Sequence, residues 1–366
     1  MTSRSRTAVR SPMMDRPTAP GPAGNSNLVP ILAGAMGSAT LDGSTRWRGA
    51  DVSTVAGLLG VASVSKVAAV RGLTSRSDFA PALSVAAQVV AAETIDLSRS
   101  PLLVIAADLE VVDFTPISAT DWGAFPALRQ VTEGGEVQFG TVAAGAEMLQ
   151  LLTYGRNFSV TRTALVSRDF APLREMATRI GMAVAALEST VLAAPFVSNP
   201  AMADGVPVWH TDHQNVTGSV AASALVDGVA AGAALLRKAR LRDTDGAGAF
   251  LNLAPRFLVA GAGLERPARQ AAATFMATTA SEVNPWAGNL EVVIDANLPD
   301  NAAFLAADPS IFAGLHRVIL AGTAGLPVID VATPLEVDAV VTRALIDIGG
   351  GISDYRPIIR IPVSGS

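Results

Sequence analysis

The stretch Asp169-Phe-Ala-Pro-Leu-Arg-Glu-Met-Ala-Thr-Arg-Ile-Gly-Met-Ala-Val-Ala-Ala-Leu-Glu-Ser-Thr-Val-Leu-Ala-Ala-Pro195 decides how the chain is read. Leu173, Met176, Ile180, Val184, Leu187 and Val191 recur at spacings of three and four, one apolar stripe at the helical period. Asp169 stands where an N-cap belongs, Pro172 is tolerated in a first turn, and Pro195 is expected to end the helix. Glu175 and Arg179 form an i, i+4 pair in the favourable order. A helix of about 25 residues is about 38 Å long at 1.5 Å per residue. That is long for a globular domain and suits a spine.

Downstream, the spacing predicts a loop over 197–217, an Ala-rich helix over about 219–240, a strand at 256–260 and a helix at 263–276. Strands are expected at 290–295, 302–306, 317–321, 337–343 and 357–361, with Gly349-Gly-Gly351 as a turn between the last two. Upstream, helices are expected over 51–70 and 78–93. From Pro101 to Thr163 the signals change to strands and turns, beginning with the apolar run Leu102-Leu-Val-Ile-Ala. Glu133-Gly-Gly-Glu136 lies between Gln130-Val-Thr and Val137-Gln-Phe, and a Gly-Gly pair takes the positive φ values of a tight hairpin turn. A hairpin with such polar flanks has no core of its own and makes sense lying on a neighbour. A second strand pair, 148–153 and 158–163, is expected to flank a turn at Gly155-Arg-Asn157. Residues 1–27 are rich in Pro, Ser, Arg and Gly and read as a mildly basic arm carrying Arg4, Arg6, Arg10 and Arg16. The whole is a mixed α+β chain without repeats.

Composition narrows the function classes. Only 16% of the 366 residues are charged and half are hydrophobic, against about 25% charged in an ordinary soluble domain. The chain either enters a membrane or buries much of its outside against neighbours. The three most apolar stretches each hold a charge: Lys66, Glu188 and Asp227. A charge at a bilayer centre costs about 2.5–3.5 kcal/mol on insertion scales, so these stretches are expected to be buried helices and no membrane partner is expected. No apolar core follows the N-terminal arginines, so no leader peptide is expected. There is no cysteine, which removes disulfides, thiolate zinc sites and a Cys nucleophile. A net charge of −5 speaks against wrapping nucleic acid over the whole surface.

Three motifs imitate catalytic or binding sites. Trp209-His-Thr-Asp-His213 offers two His and one Asp, but at i, i+3 spacing in a loop and with His316 as the only other histidine. A metal-dependent hydrolase built on His210, Asp212 and His213 is the enzymatic alternative; a loop whose side chains satisfy backbone groups is the plainer one. Phe257-Leu-Val-Ala-Gly261-Ala-Gly263 begins like a dinucleotide fingerprint, yet Arg266 replaces the third glycine, and a tight strand-to-helix turn explains it. Ser63-Val-Ser-Lys66 has the S-x-x-K form, but the partner K-T-G does not occur. No catalytic, cofactor or metal residue is therefore assigned, and the chain is not expected to be an enzyme.

From Gly72 to Pro362 a series of motifs in order resembles the major head proteins of Mu-like prophages, a module also found fused behind prohead proteases. Thr74-Ser-Arg-Ser-Asp-Phe79 is similar to that family's T-x-S-D-F entry. Phe114-Thr-Pro-Ile and Phe125-Pro-Ala-Leu-Arg-Gln-Val-Thr-Glu-Gly-Gly-Glu-Val-Gln-Phe-Gly-Thr141 resemble its F-P-x-L-x-x-V-x-E-G-G-E hairpin. Leu152-Thr-Tyr-Gly-Arg156, Ser159-Val-Thr-Arg-Thr-Ala-Leu165, Asn199-Pro with Asp204-Gly, and Trp209-His with His213 and Asn215 follow in register. Phe250-Leu, Pro255-Arg-Phe-Leu258, Asn284-Pro and Leu290-Glu-Val-Val-Ile294 complete the series.

The resemblance implies a Hong Kong 97-type phage capsid fold: an arm or extension over residues 1–70, the N-arm and start of a peripheral domain over 71–110, and an extended loop over 111–165. It further implies the peripheral domain with its spine helix over 166–216, an axial domain over 217–333 and return strands over 334–366. The implied function is a capsid subunit assembling with itself as hexamers and pentamers in an icosahedral shell around double-stranded DNA. Portal, scaffold or maturation protease and decoration proteins would be its partners. It would be built in the bacterial host cytoplasm and located in the virion. Arg129, Glu133, Gly134, Gly135 and Glu136 become candidates for contact between subunits, and Arg4, Arg6, Arg10 and Arg16 for facing the DNA. An encapsulin-type nanocompartment shell is the alternative with the same fold.

Overall fold

A computed structural model of the chain describes residues 28–36, 38, 79–122, 144–240, 249–273, 289–333 and 338–364. The expected helix over 51–70, the Gly134–Gly135 turn with Arg129, Glu133 and Glu136, and the arm arginines lie outside them.

The first layer is helical: α1 (Leu28–Ala35), α2 (Phe79–Ser98), α3 (Arg162–Arg168) and α4 (Ala171–Ser198). These helices back a five-stranded sheet made of β1 (Ala106–Val111), β4 (Leu152–Thr161), β9 (Leu315–Leu320), β10 (Val328–Ala332) and β11 (Ala339–Ile352). Strand β11 is its centre. It pairs antiparallel with β4 along one edge and, on the other, with β10 and then β9; β1 adds in parallel to β9. Leu83, Ala87, Leu173, Ile180, Ile329, Val340 and Ile348 close the core between helices and sheet. A second five-stranded sheet runs β5 (Val220–Ala221), β12 (Ile358–Ser364), β8 (Ala302–Ala307), β6 (Pro255–Ala260), β7 (Glu291–Ile294). Helices α5 (Leu225–Lys238) and α6 (Glu265–Ala272) pack on it. Finally β2 (Ile117–Trp122) and β3 (Ala144–Leu149) pair antiparallel as a separate two-stranded arm. The architecture is α+β, as the residue pattern implies.

The long helix forms, and its stripe is buried through Leu173, Met176, Ile180 and Val184; Leu187 and Val191 are half-buried as the stripe drifts onto Glu188 and Leu192. Its ends differ from expectation. Phe170 occupies the N-cap without a side-chain bond, and Asp169, at φ 55°, instead ends α3. Pro195 lies inside the helix, which runs on to Ser198. Proline removes one N–H from the helix ladder, here the donor to Val191. The Val191 carbonyl lies against Gly350, which carries no side chain to crowd it. The helix stops at Asn199, whose left-handed backbone (φ 47°) turns the chain while its N–H donates to the Pro195 carbonyl at 3.1 Å. The Glu175–Arg179 pair forms, at 2.6 Å.

Other expectations shift with packing. The apolar run at 102–106 is a 3-10 turn over Pro101–Val104 before β1 begins, because the Ser100 hydroxyl accepts the Leu102 N–H. No turn forms at Gly155–Asn157; the three residues continue β4, and the Leu345 side chain lies on Gly155. Helix α5 starts only at Leu225, since Val220 and Ala221 pair with β12. Strand β10 has no counterpart among the expected strands, and β11 is twice the expected length. The chain also changes sheet at places other than residue 333: β9 and β10 belong to the helix-backed sheet, and β12 returns to the second.

Helices α2 and α4 are long and apolar enough to cross a membrane. Their apolar faces are spent on each other, on α1 and on the first sheet.

Leu32, on α1, is fully buried in that core. Leu32→Ala should lower the unfolding free energy by about 2–5 kcal/mol, read from the denaturant midpoint of the full chain at unchanged m-value.

Candidate functional site

The residues with unusual surroundings gather where α4, the two sheets and the arm meet. Arg317 of β9 is 5% exposed. Its guanidinium donates to Asp108 Oδ1 at 2.7 Å and Oδ2 at 2.5 Å, and to Glu188 Oε1 of α4 at 2.5 Å. Burial opposes the charge of Arg317, but its bonds to the Asp108 and Glu188 carboxylates together outweigh it and raise its pKa. Beside it, burial pushes the His316 imidazole below its usual range. At the next residue of α4, Ser189 donates to Asp295 Oδ2 at 2.5 Å, and Asn297 donates to Ser189 Oγ at 2.8 Å and to Asp295 Oδ1 at 3.1 Å. Asp295 follows β7, so neighbouring residues of α4 are tied to both sheets. A third buried pair, Arg356 with Asp354, lies at the crossing from β11 to β12. Apart from Glu188 Oε2 and His316 Nδ1, which are buried without a hydrogen-bond partner, these groups hold one another.

The arm is seated beside this joint. Gly349 and Gly351 of β11 face the arm and Gly350 faces α4. A Cβ at 349 would overlap the Gln150 carbonyl oxygen, one at 351 would stand 2.5 Å from Leu149 Cδ2, and one at 350 would stand 3.0 Å from Val191 Cγ1. The triplet is therefore not the expected turn. It continues β11, pairing Gly349 with Val318 and Gly351 with His316, and lets two elements approach one strand from opposite faces. Leu149 and Leu151 then pack with Val111 and Val318. Away from this root the arm exposes apolar side chains: Met148 is 67% exposed, and Val112 and Phe114, leading into β2, are 85% and 49% exposed.

The histidine loop is structural. His213 is buried, with Nδ1 against the Val208 carbonyl at 3.0 Å, Nε2 against Asp204 Oδ2 at 2.9 Å and its ring stacked on Tyr355 at 3.9 Å. His210 Nδ1 accepts the Asp212 N–H at 3.3 Å. The two histidines thus turn to different partners, and among the described residues no three His, Cys, Asp or Glu converge to hold a metal ion. The Gly261–Gly263 turn is filled by Asp300, whose Oδ1 accepts the Gly263 N–H at 2.8 Å where a phosphate would have to sit. The proposed contact residues Arg129, Glu133, Gly134, Gly135 and Glu136 and the arm arginines are outside the described residues. The sequence reading missed Glu147, the glycine seat and the Arg317 cluster. Glu188 alone carried a signal, as a charge inside an apolar helix.

A buried polar joint at the root of an arm with exposed apolar side chains at Val112, Phe114 and Met148 suits the class of structural subunits. The sequence profile of the phage capsid protein family matches residues 144–361, and the chain belongs to that family. No curated protein matches it. Solved structures of similar chain path include Microbacterium phage Oxtober96, at 13% identity and TM-score 0.49, covering 73% of this chain and 92% of that one. The capsid of the cyanophage P-SCSP1u is similar at 9% identity and TM-score 0.49, covering 72% and 87%. The capsid of an empty GTA particle is similar at 17% identity and TM-score 0.46, covering 73% and 90%.

Arg317→Met leaves Glu188 buried without a counter-charge and should cost about 3–5 kcal/mol, most of it regained in Arg317→Met/Glu188→Met; urea unfolding of the three proteins checks this. Gly349→Ala forces the arm root off β11 and should destabilise by about 1–3 kcal/mol, with faster hydrogen exchange at Leu149–Leu151.

Proposed function

We propose that this chain is the major head subunit of a tailed phage or prophage, with the Hong Kong 97-type capsid fold. Its copies tile an icosahedral shell as hexamers and pentamers around double-stranded DNA. The observation that carries this reading is the family match over residues 144–361. It is supported by a spine-like helix across a sheet, a second sheet with its own helices, and an arm that leaves apolar side chains uncovered. Permanent interfaces bury about 2,000–5,000 Å² and are more apolar than transient ones. A chain with 16% charged residues suits such interfaces. In this reading the body around the first sheet is the peripheral domain and the second sheet with α5 and α6 is the axial domain.

The finer assignments follow from the same reading. The segment between β2 and β3 carries Arg129, Glu133, Gly134, Gly135 and Glu136 onto a neighbouring subunit, where the charged three form ion pairs. Arg4, Arg6, Arg10 and Arg16 face the packaged DNA, which they hold without sequence preference. Portal, scaffold or maturation protease and decoration proteins are the partners of such a subunit, and assembly takes place in the host cytoplasm before the protein resides in the virion.

Electron microscopy and light scattering of the chain, alone and with its scaffold or portal, test the proposal. Uniform closed particles, or hexamers and pentamers, are expected; a subunit that stays monomeric under both conditions overturns it. Glu133→Lys/Glu136→Lys should abolish closed particles while leaving the melting temperature of the unassembled subunit unchanged.

A further inference from the structure

We infer that Glu147 is the positioning residue that sets the direction in which the β2–β3 arm leaves the body, and that Asp204 and His213 hold the loop it grips. The inference rests on the shell reading for its consequence, not for its geometry.

An isolated two-stranded ribbon is marginally stable and does not aim itself. Its direction comes from where its root is fixed. One fixed point is the glycine seat, where Leu149 and Gln150 lie against Gly351 and Gly349. A single point leaves the ribbon free to swing. Glu147 supplies a second point, about 7 Å further along the strand. Its Oε1 and Oε2 accept the Ala203 N–H at 2.8 Å and 3.1 Å. Two points define a direction, and an angular error at the root grows with distance along the arm.

The bonds of the loop around Ala203 hold that N–H in place. The Met202 N–H goes to the Val206 carbonyl at 2.9 Å and the Gly205 N–H to the Met202 carbonyl at 2.8 Å. The Val206 N–H goes to Asp204 Oδ1 at 2.9 Å. The other oxygen of Asp204 meets His213 Nε2. His213 is itself fixed by the Val208 carbonyl and by the Tyr355 ring, and Asn215 donates to the same carbonyl at 2.7 Å. Tyr355 belongs to the crossing between β11 and β12, so the loop is referenced to the body and not to the arm. The buried histidine that imitates a metal ligand is, in this account, the bracket of the latch.

The test uses the full chain. Glu147→Ala removes both acceptors, whereas Glu147→Gln keeps one acceptor oxygen. Glu147→Ala should melt near the wild-type temperature, exchange the Ala203 amide about five- to tenfold faster, and give particles of uneven diameter or open sheets. Glu147→Gln should restore slow exchange and uniform particles, a rescue that a role in bulk stability alone would not produce. Unchanged Ala203 exchange, or uniform wild-type particles, in Glu147→Ala overturns the proposal. Should Glu147→Ala fail to fold, Asp204→Asn loosens the loop from His213 without touching the arm. It is expected to give the same uneven particles, and uniform ones overturn the proposal. A wild-type chain that stays monomeric both alone and with its scaffold or portal overturns the shell reading instead, and the exchange at Ala203 in the unassembled chain still decides the role of Glu147.

Discussion

Strand β11 is approached from both faces at one place, and the glycines at 349, 350 and 351 are what permit it. On one face Val191 of the long helix comes down onto Gly350; on the other the arm root lies on Gly349 and Gly351. Any side chain there would wedge one element away from the sheet. The same approach explains why Pro195 can stand inside α4. The Val191 carbonyl, deprived of its helix donor, lies where the sheet is barest. The spine, the sheet and the arm therefore share one junction, and the remaining geometry is arranged around it.

Next to the junction lie the buried charges. Arg317 joins β9 to α4 and β1, and Ser189 with Asp295 joins α4 to the second sheet. Buried ion pairs add little net stability compared with well-packed apolar residues, whereas breaking one by moving a partner away leaves a costly unpaired charge. That property suits a subunit whose two halves must be presented to neighbours at a fixed angle. The C-terminal turn of α4 adds an apolar contact of the same kind, with Phe196 packed against Trp209 and Phe304.

The helices and most strands are legible in the sequence because their apolar periods are regular: Leu173 to Val184 in α4, Phe257 to Ala260 in β6, Ala302 to Ala306 in β8. The phage capsid family, at that breadth, is legible too, through motifs that keep their order. What is not legible has a common physical cause. Gly349–Gly351, Gly155 and Pro195 carry strong local signals for turns or helix ends, and each is overruled by a partner far away in the chain. Glycine in a strand can mean a turn or a close approach, and only the approaching residue, here Gln150 or Leu345, distinguishes the two. Glu147 carries no local signal at all, since its partner is a backbone N–H. The histidine loop shows the converse: His210, Asp212 and His213 look convergent in sequence, but their bonds diverge.

The two sheets are woven from one another's intervals along the chain. Strand β1 waits for β9 more than two hundred residues later, and β8 waits for β12 while the chain completes the other sheet between them. Neither sheet can close by itself, so neither half is a separable folding unit. Pairings of such long sequence separation form late, because the entropy of closing the intervening loop is lost before any contact compensates it. Newly made chains thus pass through a period in which strand edges are open, and open edges recruit one another. For a shell subunit, the yield of particles then depends on the speed of this last closure as well as on the strength of the contacts that follow it.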